Sequence, residues 1–474
     1  MIMINQNNLP LVVDLDGTLI KTDILMEQVI DFVQVNPLHF FFVLFWFFQG
    51  FAKLKYEVYR RTNLNAENLP LNSEVISLIK DAKANNRKVI LATASFHRNA
   101  TQIAKSVNLF DEVLATTIDF NLRGKNKAKV LVEKFGDKQF DYVGDSYIDI
   151  EVWKHSRIAY LVNPSNDLVE RVSKITSTQI VTTPKINKLI LAIRSIRIKQ
   201  WIKNFLLFVP ALLAHQSSAA TYLDLLVAFL AFSFLCSAVY LLNDLNDLDS
   251  DRSHPIKKHR PLASGDIHLT TGLYLSFGLL FISMILNVFI SNIYFSALSI
   301  SYLIINYFYS KTFKKLPIID IVVLSLFYIL RIYAGGLVSG TMISEWLVMF
   351  SIFTFISLAI LKRYSEIMLI NDKSVSIRGY SYKDKSILMV FGITLSLLSS
   401  VIYLFYTQSQ KVNLLYSEPV YLIYIAPLII FFYLRLWLNI NRKLENDNPF
   451  DIIMLDKVNY ILLIFAILFL YLAY

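Results

Sequence analysis

Hydrophobic positions cluster in two different ways along the chain. Through about residue 200 they form short runs between polar stretches. Leu11 to Asp14, Lys88 to Ala92 and Phe140 to Val143 are brief apolar runs, which predict buried parallel strands. Beyond Trp201 long apolar runs with short polar breaks take over. They predict nine spans, near 201–215, 222–243, 270–290, 292–309, 318–339, 345–361, 385–407, 419–440 and 457–474. Several approach the ~20 residues a helix needs to cross hydrocarbon. The first is short and holds Pro210, so a broken or re-entrant segment is expected there.

One apolar run fits neither pattern. Phe40 to Phe48 is too short to span a bilayer and too aromatic to leave in water. It lies between the first two strand motifs, which are almost eighty residues apart and leave room for a helical cap at about 24–85. A buried cap core is one reading. The favoured one is an interfacial patch, with Phe42, Phe45 and Trp46 against lipid and the bases from Lys53 to Arg61 facing headgroups.

Composition agrees with the division. The 474 residues are 55% hydrophobic, too apolar for an ordinary soluble protein. The single cysteine, Cys236, excludes a disulfide framework. The start, MIMINQNNLPLVVDLDG, lacks a basic region followed by an apolar stretch and a cleavage site. The amino-terminal domain is therefore expected to stay in the cytoplasm.

Charge adds orientation. The breaks after spans two, four, six and eight carry sixteen Lys and Arg, among them Lys373 and Lys443, while the alternate breaks carry Lys411 alone. This bias predicts a multi-pass protein of the inner membrane, with the even-numbered breaks cytoplasmic and the carboxyl terminus outside. The net charge of +10 is mostly this bias and not a nucleic-acid footprint, since no stacking or groove-reading motif accompanies it.

The chemistry begins where the first strand ends. DxDGT places Asp14 and Asp16 at a strand's carboxyl end, where open α/β sheets bind ligands. Thr93 follows the second run, Lys127 lies in GKNK, and Asp145 and Asp149 follow the third in GDSYID. These four motifs, in this order, resemble the haloacid dehalogenase superfamily of phosphatases over roughly residues 9–165. The resemblance implies a Rossmann-like α/β domain in which Asp14 is the nucleophile and Asp16 the general acid and base. Thr93 and Lys127 would steady the phosphate oxygens, with Ser95 a second candidate beside Thr93. Asp14, Asp145 and Asp149, with Asp16 in the same cluster, would hold Mg²⁺. A degenerate domain is disfavoured, because every motif position holds a usable residue.

A second acidic motif closes the second span: YLLNDLNDLDSDRSHPIKKHRPLASG, from Tyr240 to Gly265. Asn243, Asp247 and Asp251 are four apart and would share one helical face, with Asp244 beside them. Acids at a helix carboxyl end oppose the dipole, so stability alone would not select them. Hard oxygen ligands suit Mg²⁺ bridging protein to phosphate.

NDxxDxxxD after a second span resembles the signature of the UbiA-type intramembrane prenyltransferases, over roughly 190–474. One branch matches more closely, the polyprenyl-phosphate phosphoribosyltransferases. The matching pieces are RIKQWIKNFLLFVPAL, the Tyr240–Gly265 stretch, YSKTFKKLPIIDI, FYILRIYAGG and LKRYSEI. The resemblance implies an all-α polytopic domain of nine transmembrane helices at 186–474, following the phosphatase domain at 1–185. It implies transfer of 5-phosphoribose from phosphoribosyl pyrophosphate to polyprenyl phosphate, then removal of the 5-phosphate by the first domain. Asp247 and Asp251, with Asn243 and Asp244, would hold Mg²⁺. Lys257, Arg260, Lys311, Lys314, Asp320, Arg331, Lys362 and Arg363 would bind the donor, and Lys203 and Asn204 the acceptor phosphate.

Aromatic-substrate members carry a second DxxxD; here Asp320 is followed four places on by Leu324. That disfavours the alternative reading, a prenyltransferase acting on an aromatic or other acceptor with an attached phosphatase of unrelated use. A transporter is disfavoured because the acids gather at one membrane edge. A homo-oligomer is compatible with the sequence.

Overall fold

The computed structural model describes residues 9–182, 187–369, 376–442 and 449–474. The expected domain boundary at 185/186, Lys373 and Lys443 lie outside the described residues. The chain forms two compact units, 1–198 with 240–278, and 199–239 with 279–474.

The first unit is built on a six-stranded parallel sheet. Its strands are β1 (Leu11–Val13), β2 (Val89–Phe96), β3 (Glu112–Thr116), β4 (Asp141–Gly144), β5 (Ile158–Val162) and β6 (Ser177–Val181), in the order β3-β2-β1-β4-β5-β6. β1 is central, pairing Val12 with Ile90 on one side and Tyr142 on the other. Alternation sorts its side chains. Leu11 and Val13 join Val75, Ile79 and Leu91 in one core, and Val12 joins Ile90, Leu131, Tyr142 and Trp153 in the other. Burial on both faces explains why the strands read as unbroken apolar runs.

β2 runs past Thr93 to Phe96, with a register irregularity between them, where the sequence predicted the strand to stop. Between β1 and Asn72 lie α1 (Ile24–Val35), α2 (His39–Phe48) and α3 (Phe51–Arg61). They have a small core of their own, Phe32, Trp46, Leu54 and Val58. Helix Ser73–Ala84, expected within the cap, instead sends Val75, Ile79 and Ala82 into the sheet core. The cap therefore ends earlier than its expected limit.

Among the described residues, six helices are long and apolar enough to cross a membrane: Ala219–Asn246, Leu269–Ile290, Ile319–Ser339, Glu345–Met368, Tyr382–Thr407 and Val420–Arg442. Two further expected spans are helical at Ile293–Lys311 and Lys457–Ala473. The former is diluted by Ser, Tyr and Asn, and the latter has only 17 residues. The first expected span is a 3₁₀ segment, Ile198–Phe208, followed by a five-residue helix that opens on Val209 and Pro210.

Gly335 fixes how that segment packs. A Cβ there would lie 1.9 Å from the Leu207 carbonyl oxygen. Only glycine lets the two backbones approach so closely. Gly335→Ala is expected to cost about 1–3 kcal/mol by overpacking, read as a lower melting temperature in detergent. An unchanged melting temperature would show that the segment is free to move aside.

Candidate active sites

The carboxyl ends of β1, β2 and β4 bring the first site together. Asp14, immediately after β1, accepts a 2.8 Å hydrogen bond from Lys127 Nζ. Lys127 also donates to the Tyr142 hydroxyl at 2.8 Å, and Tyr142 donates to Asp149 at 2.8 Å. The Ser146 amide and hydroxyl hold the other Asp149 oxygen, at 3.1 and 2.9 Å. Thr18 donates to Asp145 at 3.3 Å. Gly17, at φ +75°, permits the turn that brings Asp145 in, since a Cβ would stand 2.4 Å from an Asp145 oxygen.

Asp14, Asp145 and Asp149 each place an oxygen within 4.8 Å of the others. Asp16 stands apart from this triad. Its oxygens accept from the Ile24 amide at 2.8 Å and the Ser95 hydroxyl at 2.7 Å. The expected four-carboxylate metal cluster is thus a three-carboxylate one, because the start of α1 and Ser95 hold the fourth. Thr93 is buried, and its Oγ1 accepts from the Ser95 amide at 2.9 Å. Ser95 thus orients Asp16, a contact that strand-end spacing did not reveal. Lys55 of α3 was also missed. It reaches the Ala94 carbonyl at 3.2 Å, and burial depresses its pKa.

Crowded, buried carboxylates resist ionisation. Burial pushes Asp14 up to about 6 against the pull of Lys127. Burial, then the Asp149 and Asp14 charges, pushes Asp145 up to about 8. Burial, then the charge of Asp23, raises Asp16 to about 7. A divalent cation among Asp14, Asp145 and Asp149 would relieve this repulsion, so the residues fit Mg²⁺. Cation binding must then displace protons. Mg²⁺ affinity is expected to fall as pH drops from about 8 towards about 6, with proton release seen calorimetrically in buffers of different ionisation enthalpy. Binding that is independent of both pH and buffer would overturn the assignment.

The acid-rich loop belongs to the first unit. Helix Ala219–Asn246 stops before Asp247, whose backbone leaves helical geometry (φ −103°, ψ 14°), and helix Leu248–Ser253 follows. Asn243, Asp247 and Asp251 remain linked through backbone bonds of 2.9 and 2.8 Å. Within the expected oxygen cluster of Asn243, Asp244, Asp247 and Asp251, two of the acids are bridged by a base. Arg260 Nη1 stands between Asp244 (3.0 Å) and Asp251 (2.6 Å), and Arg197 also pairs with Asp244. Asp244 and Asp251 thus face one another across a single guanidinium nitrogen. Lys257 opens a short turn, Lys257–His259.

Asp249, left out of the predicted set, accepts from Asn65 and Asn68 beyond the cap helices, at 3.0 and 2.7 Å. Arg252 grips Glu27 of α1 with two bonds of 3.1 and 2.6 Å, both side chains being 7% exposed.

Two polar clusters lie in the second unit. Arg331, 3% exposed, donates to Asn204 at 2.7 Å and faces the rings of Phe232, Tyr302 and Tyr328 at 5.4, 5.5 and 5.8 Å. Lys203 lies 5.8 Å from the Tyr328 ring, so Lys203, Asn204 and Arg331 gather around shared partners. In the other cluster, Asp320 is fully buried and paired with Arg363. It also accepts from the Tyr380 hydroxyl at 2.6 Å. Arg363 pairs further with Glu366 and reaches the Tyr309 hydroxyl at 3.1 Å. Lys362 precedes Arg363 on the same helix. Lys311 ends helix Ile293–Lys311, 5.9 Å from the Tyr307 ring, and Lys314 lies in the turn after it.

Comparison with known proteins finds two families along the chain. The profile of the UbiA prenyltransferase family matches residues 204–455, and that of haloacid dehalogenase-like hydrolases matches 11–154. An uncharacterized protein, y4nM of Sinorhizobium fredii, is 32% identical over 462 residues, covering 95% of this chain and 88% of the relative. Decaprenyl-phosphate phosphoribosyltransferase of Corynebacterium glutamicum is 32% identical over 191 residues, 39% of this chain and 57% of that enzyme. The protein of the same name from Mycobacterium tuberculosis is 28% identical over 225 residues, 46% of this chain and 74% of the relative. The chain belongs to the UbiA prenyltransferase family, as an integral membrane transferase that also carries a haloacid dehalogenase-like hydrolase domain.

Proposed function

We propose that the membrane domain transfers 5-phosphoribose from phosphoribosyl pyrophosphate to a polyprenyl phosphate, and that the amino-terminal domain then removes the 5-phosphate. One pairing carries the reading. A chain similar to decaprenyl-phosphate phosphoribosyltransferases also holds a buried carboxylate–lysine site suited to phosphomonoesters. The transfer leaves one such phosphate behind.

In the transfer, an oxygen of the lipid phosphate forms a bond to C1 of the ribose as the bond from C1 to pyrophosphate breaks. Lys203, Asn204 and Arg331 would hold the acceptor phosphate. Arg260 would exchange carboxylate partners for donor phosphate, with Lys257, Lys311, Lys314, Lys362 and Arg363 adding positive charge and Asp320 fixing Arg363. Asn243, Asp244, Asp247 and Asp251 would hold Mg²⁺ in this domain, and Asp14, Asp145 and Asp149 in the other. In both, the ion would supply neutralisation of phosphate charge.

In the hydrolysis, Asp14 attacks phosphorus and Asp16 protonates the departing 5-oxygen. Asp16 then takes the proton of the water that cleaves the aspartyl phosphate. A carboxyl raised to about 7 is matched to that double task near neutral pH. Lys127 and Thr93 would hold the transferring oxygens. The even-numbered breaks and the phosphatase would share the cytoplasmic side, where the soluble donor arrives.

The test is a reconstituted assay with ribose-labelled phosphoribosyl pyrophosphate and polyprenyl phosphate. Lipid-linked ribose is expected. Transfer of a prenyl group from its diphosphate to an aromatic acceptor, with no ribose incorporated, would favour the alternative.

A further inference from the structure

Helix α2, HFFFVLFWFF, is apolar around its whole circumference apart from His39. The structure divides it. Trp46 turns inward, 7% exposed, among Phe32, Leu54 and Val58, and the Arg61 guanidinium lies 4.8 Å from its ring centre. Trp46 is therefore cap core, a correction to its expected place against lipid. The other aromatics face outward. Phe41, Phe45 and Phe48 are 66%, 57% and 84% exposed. Phe40, Phe42, Leu44 and Phe47 are exposed beside them, and Val35, Leu38 and Phe51 extend the patch at both ends.

We propose that this face of the cap inserts into the interfacial layer of an anionic bilayer. Three observations favour lipid over a protein partner. The face offers no polar handle to orient a protein, since His39 is stacked on Phe32 and its Nδ1 is bonded to the Phe32 carbonyl at 2.8 Å. The next helix, FAKLKYEVYRR, exposes Lys53, Arg60 and Arg61 while its one acid, Glu57, is buried, and such exposed bases are what anionic headgroups attract. Among the described residues the same chain has six helices fit to cross a membrane, so the protein resides at a bilayer. A soluble domain leaving this much contiguous aromatic surface in water would aggregate.

The proposal rests on family membership and not on the identity of the sugar donor. Its test uses the full chain in vesicles of phosphatidylcholine and phosphatidylglycerol. Nitroxides are attached at Phe41→Cys and Phe48→Cys in separate variants, with Lys129→Cys as a water-exposed reference. Cys236 is buried, and unsubstituted protein sets the background. The ratio of collisions with oxygen to collisions with a water-soluble nickel chelate is expected to be several-fold higher at both aromatic positions than at the reference. Ratios equal to the reference would place the face in water and overturn the proposal. Exclusion of both reagents would overturn it too, showing that protein covers the patch, either this chain's own or a second copy's.

Discussion

Replacement of Asp14 by Asn is expected to abolish phosphate release while lipid-linked ribose 5-phosphate accumulates. The amide is isosteric, so β1 and its two neighbours should fold as before. What is lost is the nucleophile, since an amide oxygen cannot form the aspartyl phosphate. The loss should reach about 10⁴-fold or more, as for other covalent nucleophiles. Mass spectrometry of extracted lipid would distinguish ribose phosphate from ribose. Phosphate release at the wild-type rate would remove Asp14 from the mechanism. In the unsubstituted protein, hydrolysis of soluble esters combined with accumulated lipid-linked ribose phosphate would instead show that the domain serves another substrate.

Asp247→Ala is expected to eliminate ribose transfer and to spare hydrolysis of a soluble phosphate ester. The backbone of this position is well held: its amide donates to the Asn243 carbonyl at 2.9 Å, and its carbonyl accepts from the Asp251 amide at 2.8 Å and the Ser250 hydroxyl at 2.9 Å. Its side chain makes no capping bond to the helix that follows. Alanine should therefore keep these backbone bonds while removing the carboxylate. Removing one ligand of a metal that neutralises a pyrophosphate should lower the rate by about 10²–10³-fold or more. If transfer persists with unchanged Mg²⁺ dependence, the acids are a solvated helix end.

The sequence disclosed what is local. Each expected strand exists, and the acids at the ends of β1 and β4 converge because parallel strands deliver their carboxyl ends to one edge. Long-range pairing was illegible. Arg260, Arg331 and Arg363 looked alike as cations near motifs, yet one bridges two loop acids, one binds Asn204 inside the helical unit, and one is paired with Asp320. Nothing in their spacing encodes those partners. The break at Asp247 was hidden because i, i+4 spacing looks the same whether or not the helix kinks between the residues. Trp46 was misplaced for a related reason: an all-aromatic helix has no stripe to show which side is inward.

Helix α1 carries a consequence of another kind. Its first amide holds the Asp16 carboxylate, and one turn later Glu27 holds Arg252 in a buried ion pair. Removing one partner of such a pair costs about 3–5 kcal/mol, so a shift of the acid-rich loop must carry α1 along or meet that barrier. A ligand that repositions either end then does thermodynamic work on the other. Binding free energies of this sort are reciprocal. Whatever factor a phosphate analogue beside Asp16 imposes on cation affinity at the loop, a cation at the loop must impose on the analogue.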